Sequence, residues 1–363
     1  MKVALLGDIA FYGKYSLDNK NVYKYFEEVA EFLSKFDYVV GNLESPLCCE
    51  SKPYGAKSAH IKSNIENVEL LKYLNIDVVN LANNHIFDYG KKGYESTKRV
   101  LEDNDIQYFG IENKDVLLKY NKNKIILSGY CCYSTNAFGY QDNTSSMGIN
   151  ALNALEVEKG LLENHKNGLL NILSLHMGQE HVHYPNYDHV LMARAFAKRV
   201  PYVLYGHHPH VMQGIEQVDN SILAYSLGNF CFDDVYTKKS KEPLVKQSDD
   251  NKKSFILCLE IVDNKVVDSQ TIPLFAGKEQ LQVSKRHDII EKLYEYSYFL
   301  SETKEIYNGR RSEHLSTYIN SRKTMRNFKW YLKRLNIKSA LMILNSKKNL
   351  KKYRENITQY INN

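Results

Sequence analysis

A short apolar run that stops abruptly at glycine or polar residues recurs through roughly the first 230 residues. It appears as KVALLGD (2–8), DYVVGNLES (37–45), DVVNLANNH (77–85), NILSLHMGQE (171–180), PYVLYGHHPH (201–210) and ILAYSLGNF (222–230). Runs this short, rich in Val, Ile, Leu and Tyr, read as buried strands. Between them, residues 24–36, 93–104 and 186–199 carry apolar positions three and four apart, the spacing of amphipathic helices. Strands alternating with such helices predict an α/β fold with a largely parallel or mixed sheet covered on both faces. Ligands bind these sheets beyond the carboxyl ends of the strands. The polar clusters sit at those ends, six times over, so one convergent site is expected.

Residues 254–275 alternate more like antiparallel strands, with DNK (263–265) as a hairpin turn. Residues 236–253 are charged and poor in apolar groups, which predicts an exposed loop. From about His287 the pattern turns helical, through residues 287–307 and into the C-terminal tail. A chain of 363 residues is long enough for one large domain plus an appendage, here divided as 1–280 and 281–363.

Charge changes the picture at one end only. The net charge is +6, yet residues 321–363 hold twelve Lys/Arg against one acid, Glu355, leaving 36 basic and 41 acidic residues elsewhere. The body is mildly acidic and the tail strongly basic. Hydrophobic residues at 43% and charged residues at 25% are ordinary for a soluble globular protein. No stretch approaches the roughly 18 apolar residues needed to span a bilayer, and the N-terminal apolar run is too short for a signal-peptide core. Four of the six cysteines form adjacent pairs, Cys48–Cys49 and Cys131–Cys132, which is neither a disulfide framework nor a zinc spacing. Reduced thiols and a cytoplasmic location are expected.

The strand-end clusters carry the chemistry. Seven of the twelve histidines fall between residues 176 and 210. In GHHPH, His208 and His210 are spaced so that an extended segment could aim both imidazoles at one region. His176 ends a neighbouring strand. Asp8 and Glu44 are carboxylates at the ends of two more, where each needs a cation or several donors, or else caps a helix. Carboxylates, imidazoles and the amide oxygen of Asn84 together suit Mn, Fe or Zn. His85, the next residue, would project close to the metals without binding them, placed to donate a proton. Asp88 either orients that imidazole or caps the following turn.

These residues together resemble the CapA family of bacterial poly-γ-glutamate capsule synthesis proteins, whose domain is of the calcineurin-like metallophosphoesterase type. The matching stretches are GDI (7–9), GNLESPL (41–47), NLANNHIFDYG (80–90), LHMGQE (175–180), GHHPHVMQGIE (206–216) and YSLGNFCFD (225–233), in family order, within residues 1 to about 275. The resemblance implies a four-layer α/β sandwich, here with a helical C-terminal extension. It implies two divalent metal ions, Mn2+ foremost with Fe or Zn as alternatives. Asp8, Glu44, Asn84, His176, His208 and His210 would be the metal residues, with Glu44 in the bridging place, and His85 the proton donor. Two departures stand out: Ala10 replaces the histidine of an Asp-x-His opening, and Gly41-Asn42 replaces Gly-Asp. Asn42, Asn83, Glu180, His207 and Asn229 are candidate substrate contacts, and His207 is also a candidate replacement for the missing ligand.

The function expected is a metal-dependent hydrolase, acting on a phosphoester in the synthesis of a capsular or other surface polymer. Two alternatives stay open. One is an amide hydrolase or transferase on a γ-glutamyl polymer. The other is a non-catalytic polymer-binding or assembly protein, which Ala10 supports and His85 opposes. An anionic polymer or a phosphoester is the expected partner of the body. The tail combines its charge with Phe328, Trp330, Tyr331, Leu332, Leu335, Leu341, Ile343 and Leu344. It reads as a helical extension packed on the body, or as a basic amphipathic helix on the inner face of an anionic membrane. Nucleic acid is disfavoured, because no recognised motif accompanies the charge.

Overall fold

The apolar runs fold into two sheets laid face to face, in a computed structural model that describes residues 1–141, 147–236, 242–283, 286–323 and 336–362. The first sheet runs β14 (Leu281–Val283), β13 (Lys265–Ala276), β12 (Lys253–Val262), β1 (Lys2–Ile9), β2 (Tyr38–Leu43), β3 (Val78–Asn80), β4 (Gln107–Phe109), with β11 (Asn229–Cys231) also paired to β1. The second runs β5 (Val116–Tyr120), β6 (Asn123–Cys131), β7 (Leu170–His176), β8 (Tyr202–His207), β10 (Ser221–Ala224), β9 (Ile215–Val218). The strands that carry the polar clusters are parallel to one another within each sheet.

Side-chain alternation assigns the layers. In β1, Val3 and Leu5 join an inter-sheet core with Leu127, Ile172 and Val203 of the second sheet. Ala4 and Leu6 point the other way, into a core with Phe26, Val29 and Leu33 of α1 (Val22–Leu33). That outer core also takes Leu70 of α2 (Val68–Tyr73) and Tyr94 of α3 (Gly90–Glu102). On the second sheet, Leu173 and Leu204 pack with Leu161 of α4 (Ala154–Lys166) and Phe196 of α5 (Tyr187–Arg199). The result is a four-layer sandwich, helix–sheet–sheet–helix, as the resemblance implied. Each sheet is covered on both faces, as periodicity predicted: it meets helices on one face and the other sheet on the opposite one. An apolar run records only that both faces are covered, not by what.

Residues 263–264 make the expected hairpin between β12 and β13, both with positive φ. Of the stretch expected as an exposed loop, residues 237–241 lie outside the described residues, and Lys253 already begins β12. The helical C-terminal part comprises α6 (His287–Phe299), α7 (Lys304–Lys323) and α8 (Ile337–Tyr353). Ile289 and Leu293 of α6 reach the inter-sheet core, and the Tyr307 hydroxyl of α7 donates to Pro185 O at 2.8 Å. Phe328, Trp330, Tyr331, Leu332 and Leu335 of the tail lie outside the described residues. Among the described residues, no helix is long and apolar enough to cross a membrane.

The fold also buries a histidine away from the strand ends. His189 of α5 is 1% exposed, with Cys132 Sγ 3.9 Å from Nε2 and the Tyr353 ring beside it. Burial, with smaller effects of Arg311 and His208, brings its pKa down to about 3. The unfolded chain takes up this proton near pH 6.5 and the folded chain does not, so stability falls as pH drops from 6.5 towards 3. The slope from one such group is at most about 1.4 kcal/mol per pH unit. Denaturant titrations at several pH values should show His189→Gln with a shallower acid slope than the wild type; equal slopes would refute this source.

Candidate metal centre

Parallel pairing lines the polar residues up. Across the first sheet Asp8 is in register with Asn229 on one side and Asn42 on the other, and Asn42 with Asn80. In the second sheet His176 is in register with His207. Close backbone approach makes this possible. A Cβ on Gly7 would lie 2.0 Å from Gly228 O, and one on Gly206 would lie 1.9 Å from Tyr225 O. Only glycine lets the 225–228 crossover pass between the sheets and seat Asn229 beside Asp8.

Glu44 follows directly on β2, its amide donating to Ile9 O at 2.8 Å. Its carboxylate belongs to two clusters. Ligand atoms of Glu44, His176 and His208 lie within 4.8 Å of one another, and so do those of Asp8, Glu44 and His210. All five residues are buried. His208 and His210 do not reach the site from an extended segment as expected. Their φ values are 95° and 57°, a left-handed backbone that turns both rings inward after β8. Such a conformation costs a non-glycine residue about 1–3 kcal/mol and persists where surroundings impose it. Asn84 Oδ1 lies 2.8 Å from His176 Nε2, at the rim of the first cluster.

Four expected substrate contacts are placed otherwise. Asn42 is fully buried, donates to Asp8 Oδ1 at 2.8 Å, and accepts from Asn80 at 2.9 Å. Asn83 donates to Leu43 O and accepts from the amides of His85 and Ile86, holding the turn that presents His85. Asn229 Oδ1 lies 2.9 Å from His210 Nδ1 and orients that ring. His207 is fully buried beneath Asp8, its Nδ1 3.2 Å from Asp8 Oδ1, and it is in neither cluster. At Ala10, where the resemblance expects histidine, a small apolar cluster of Ile61, Phe232 and Val235 closes the space. Glu180 alone of the five lines the cavity over the site, which measures about 550 Å3.

His85 has a different setting from the clustered histidines. Its Nδ1 lies 2.6 Å from Asp88 Oδ2, and its Nε2 is 3.8 Å from Glu44 Oε1. Asp88 also accepts from Lys57 Nζ at 2.5 Å and from Ile61 N at 2.8 Å. Burial would raise the Asp88 carboxyl, but His85 and Lys57 outweigh it and hold it below the usual range. An ionised carboxylate only accepts, so Nδ1 must carry the proton in that contact and Nε2 is left facing the cavity. Sequence reasoning missed Lys57, which also donates to Asn84 O at 2.6 Å. It sits in the polar loop SKPYGAKSAH with no spacing signal of its own. Asn80 was missed too, although an asparagine closing the apolar run DVVN was a visible anomaly.

The electrostatics test whether a cation fits. Burial pushes the Glu44 carboxyl well above its usual range, and Asp8 and Glu180 add to that. Both Glu44 oxygens and His208 Nδ1 are buried without a hydrogen-bond partner in the protein. Burial would likewise raise Asp8, but His207 and His210 outweigh it and hold it well below the carboxylate range. Burial opposes charge on His210, yet Glu44 and Asp8 lift it to about 10. Burial lowers His208 to about 4 and His176 well below the imidazole range, so both offer neutral nitrogen. An orphaned carboxylate shared by two sets of imidazole and carboxylate donors fits divalent cations.

Comparison with known proteins agrees with the motifs. The family described as "Bacterial capsule synthesis protein PGA_cap" matches residues 2–234. The capsule biosynthesis protein CapA of Bacillus anthracis is 30% identical over 260 residues, 68% of this chain and 63% of that one. The PGA biosynthesis protein CapA of Bacillus subtilis is 30% identical over 257 residues, 68% of this chain and 67% of that one. The match therefore spans less than two thirds of the first relative's length. Among solved structures, a putative 5'-nucleotidase from Staphylococcus aureus is similar at 11% identity and a TM-score of 0.45, covering 82% of this chain and 59% of that one. At that distance it bears on no assignment of residues or substrate.

Proposed function

The chain belongs to the bacterial capsule synthesis (PGA_cap) family, and from that premise we propose that it is a divalent-metal-dependent phosphoester hydrolase in the synthesis of a capsular or other surface polymer. The observation that carries this reading is Glu44, one buried carboxylate common to two clusters and without a hydrogen-bond partner among the described residues, with a histidine poised beside it. Asp8, Glu44 and His210 would hold one cation, and Glu44, Asn84, His176 and His208 the other. Mn2+ is the first choice for this oxygen and imidazole set, with Fe or Zn next. Bound there, the ions supply Lewis acidity to water and to phosphoryl oxygens.

The chain's own residues do the rest. Asp88 and Lys57 fix His85, which, when protonated at Nε2 as well as Nδ1, gives the Nε2 proton to the oxygen of the leaving group and keeps Nδ1–H on Asp88. Asn42 and Asn229 hold Asp8 and His210 in place, while Asn80 holds Asn42. Glu180, held at a pKa of about 2 by His208 and His210 against the effect of burial, keeps a negative charge at the cavity wall. That charge disfavours anionic groups from one side and directs a phosphoryl group towards the clusters.

The test is a turnover assay on full-chain protein, stripped of metal and reloaded with Mn2+, against phosphomonoesters, phosphodiesters and a γ-glutamyl amide. Hydrolysis of a phosphoester that needs the added cation is expected. Cleavage of the γ-glutamyl amide alone would replace this reading with the amide reading. Bound metal without any turnover would replace it with a binding role.

A further inference from the structure

Helix α8 is inverted relative to a helix that simply packs on a body. Its inward side carries Met342, Asn345, Asn349 and Lys352, and Asn349 is 4% exposed. Its outward row, Ile337, Leu341 and Leu344, follows the i, i+4, i+7 spacing of one helical face, and is 81%, 52% and 62% exposed. Ile343 and Leu350 are exposed as well. The same helix carries Lys338, Lys347, Lys348, Lys351 and Lys352 and no acidic residue. Lysines continue the outward row, with Lys348 and Lys351 one and two turns beyond Leu344. An apolar row left in water on a basic helix marks a surface with a partner.

The inward side faces the site already described. Met342, Ile343, Asn345 and Ser346 line the cavity shared with Asn84, His85 and His210. The family match ends at residue 234, so this wall lies outside the matched region.

We propose that α8 seats the protein on an anionic lipid surface, its apolar row in the acyl boundary and its lysines among the phosphates, so that the cavity over the metal cluster opens beside that surface. The two properties of the helix select this occupant together. A second copy of the chain would set lysine-rich faces against each other. A nucleic acid would answer the lysines and leave Leu341 and Leu344 in water. An anionic bilayer answers both, because each lysine near it gains attraction and each leucine leaves water. This seating holds whether or not the cluster hydrolyses a phosphoester.

The test uses metal-free full-chain protein and co-sedimentation with vesicles of phosphatidylcholine, with and without phosphatidylglycerol. Binding to the anionic vesicles only, weakened by salt, is expected. Leu344→Asp should lower that binding by about tenfold or more. Leu155→Asp, the same change at a leucine 62% exposed on α4, should leave it unchanged. No binding to anionic vesicles, or equal effects of the two substitutions, would overturn the proposal. So would light scattering that shows a dimer of the wild type dispersed by Leu344→Asp, which would assign the row to a second copy.

Discussion

Glu44→Gln is expected to abolish cation binding while leaving the metal-free protein as stable as the wild type or more so. The carboxylate is fully buried and neither oxygen has a hydrogen-bond partner among the described residues; burial outweighs the attraction of His210, so without a cation its ionised form is a net cost. Its folded-state pKa lies well above the ordinary 4.5, which means the metal-free wild type loses stability as pH rises above 4.5. The substituted amide carries no charge at any pH, and so removes that loss. Cations reverse the order. A single site at a hundredfold excess of ligand over Kd adds about 2.7 kcal/mol to stability, and the wild type should gain at least that with Mn2+. The variant lacks the carboxylate common to both clusters and should gain little. Thermal unfolding with and without Mn2+ reads both effects. A variant that is strongly destabilised without metal, or stabilised by Mn2+ as much as the wild type, would contradict the shared role of Glu44.

His85→Ala is expected to reduce turnover by about 10²–10⁴-fold, the usual worth of a positioned proton-transfer group, with metal content near normal. The ring is adjacent to the clusters but its Nδ1 is taken by Asp88, and it is in neither ligand set. Asp88→Asn should lower turnover in the same direction, because an amide at that place no longer demands the Nδ1 proton and the tautomer is no longer fixed. Elemental analysis beside the kinetics separates the roles. Loss of metal from His85→Ala would make His85 a ligand instead.

Much of this was written in the pattern of the chain, and the failures have physical causes. Residues 24–36, 93–104 and 186–199 became α1, α3 and α5 within three residues, because a helix that buries one face repeats its apolar positions every 3.6 residues. The partition into two sheets was not legible in β1 or β7, since Val3 and Ala4 are equally apolar whether they face a sheet or a helix. At the site, carboxylates and histidines stood out because burying them needs a reason. Asn42, Asn83 and Asn229 also stood out, but an amide that orients a ligand and one that meets a substrate occupy the same strand ends. The left-handed turn at His208 and His210 leaves no trace in sequence, as neither position is glycine. Lys57 reaches Asp88 from a loop 31 residues away, beyond any local pattern.

The central claim is that the residues around Glu44 form a two-cation centre, and metal stoichiometry tests it most directly. Full-chain protein would be loaded with Mn2+, freed of excess ion and measured by elemental analysis beside Glu44→Gln. The account predicts two ions per wild-type chain, one for each cluster, and their loss in the variant. A wild-type chain that retains no ion, or a variant that retains both, would contradict it.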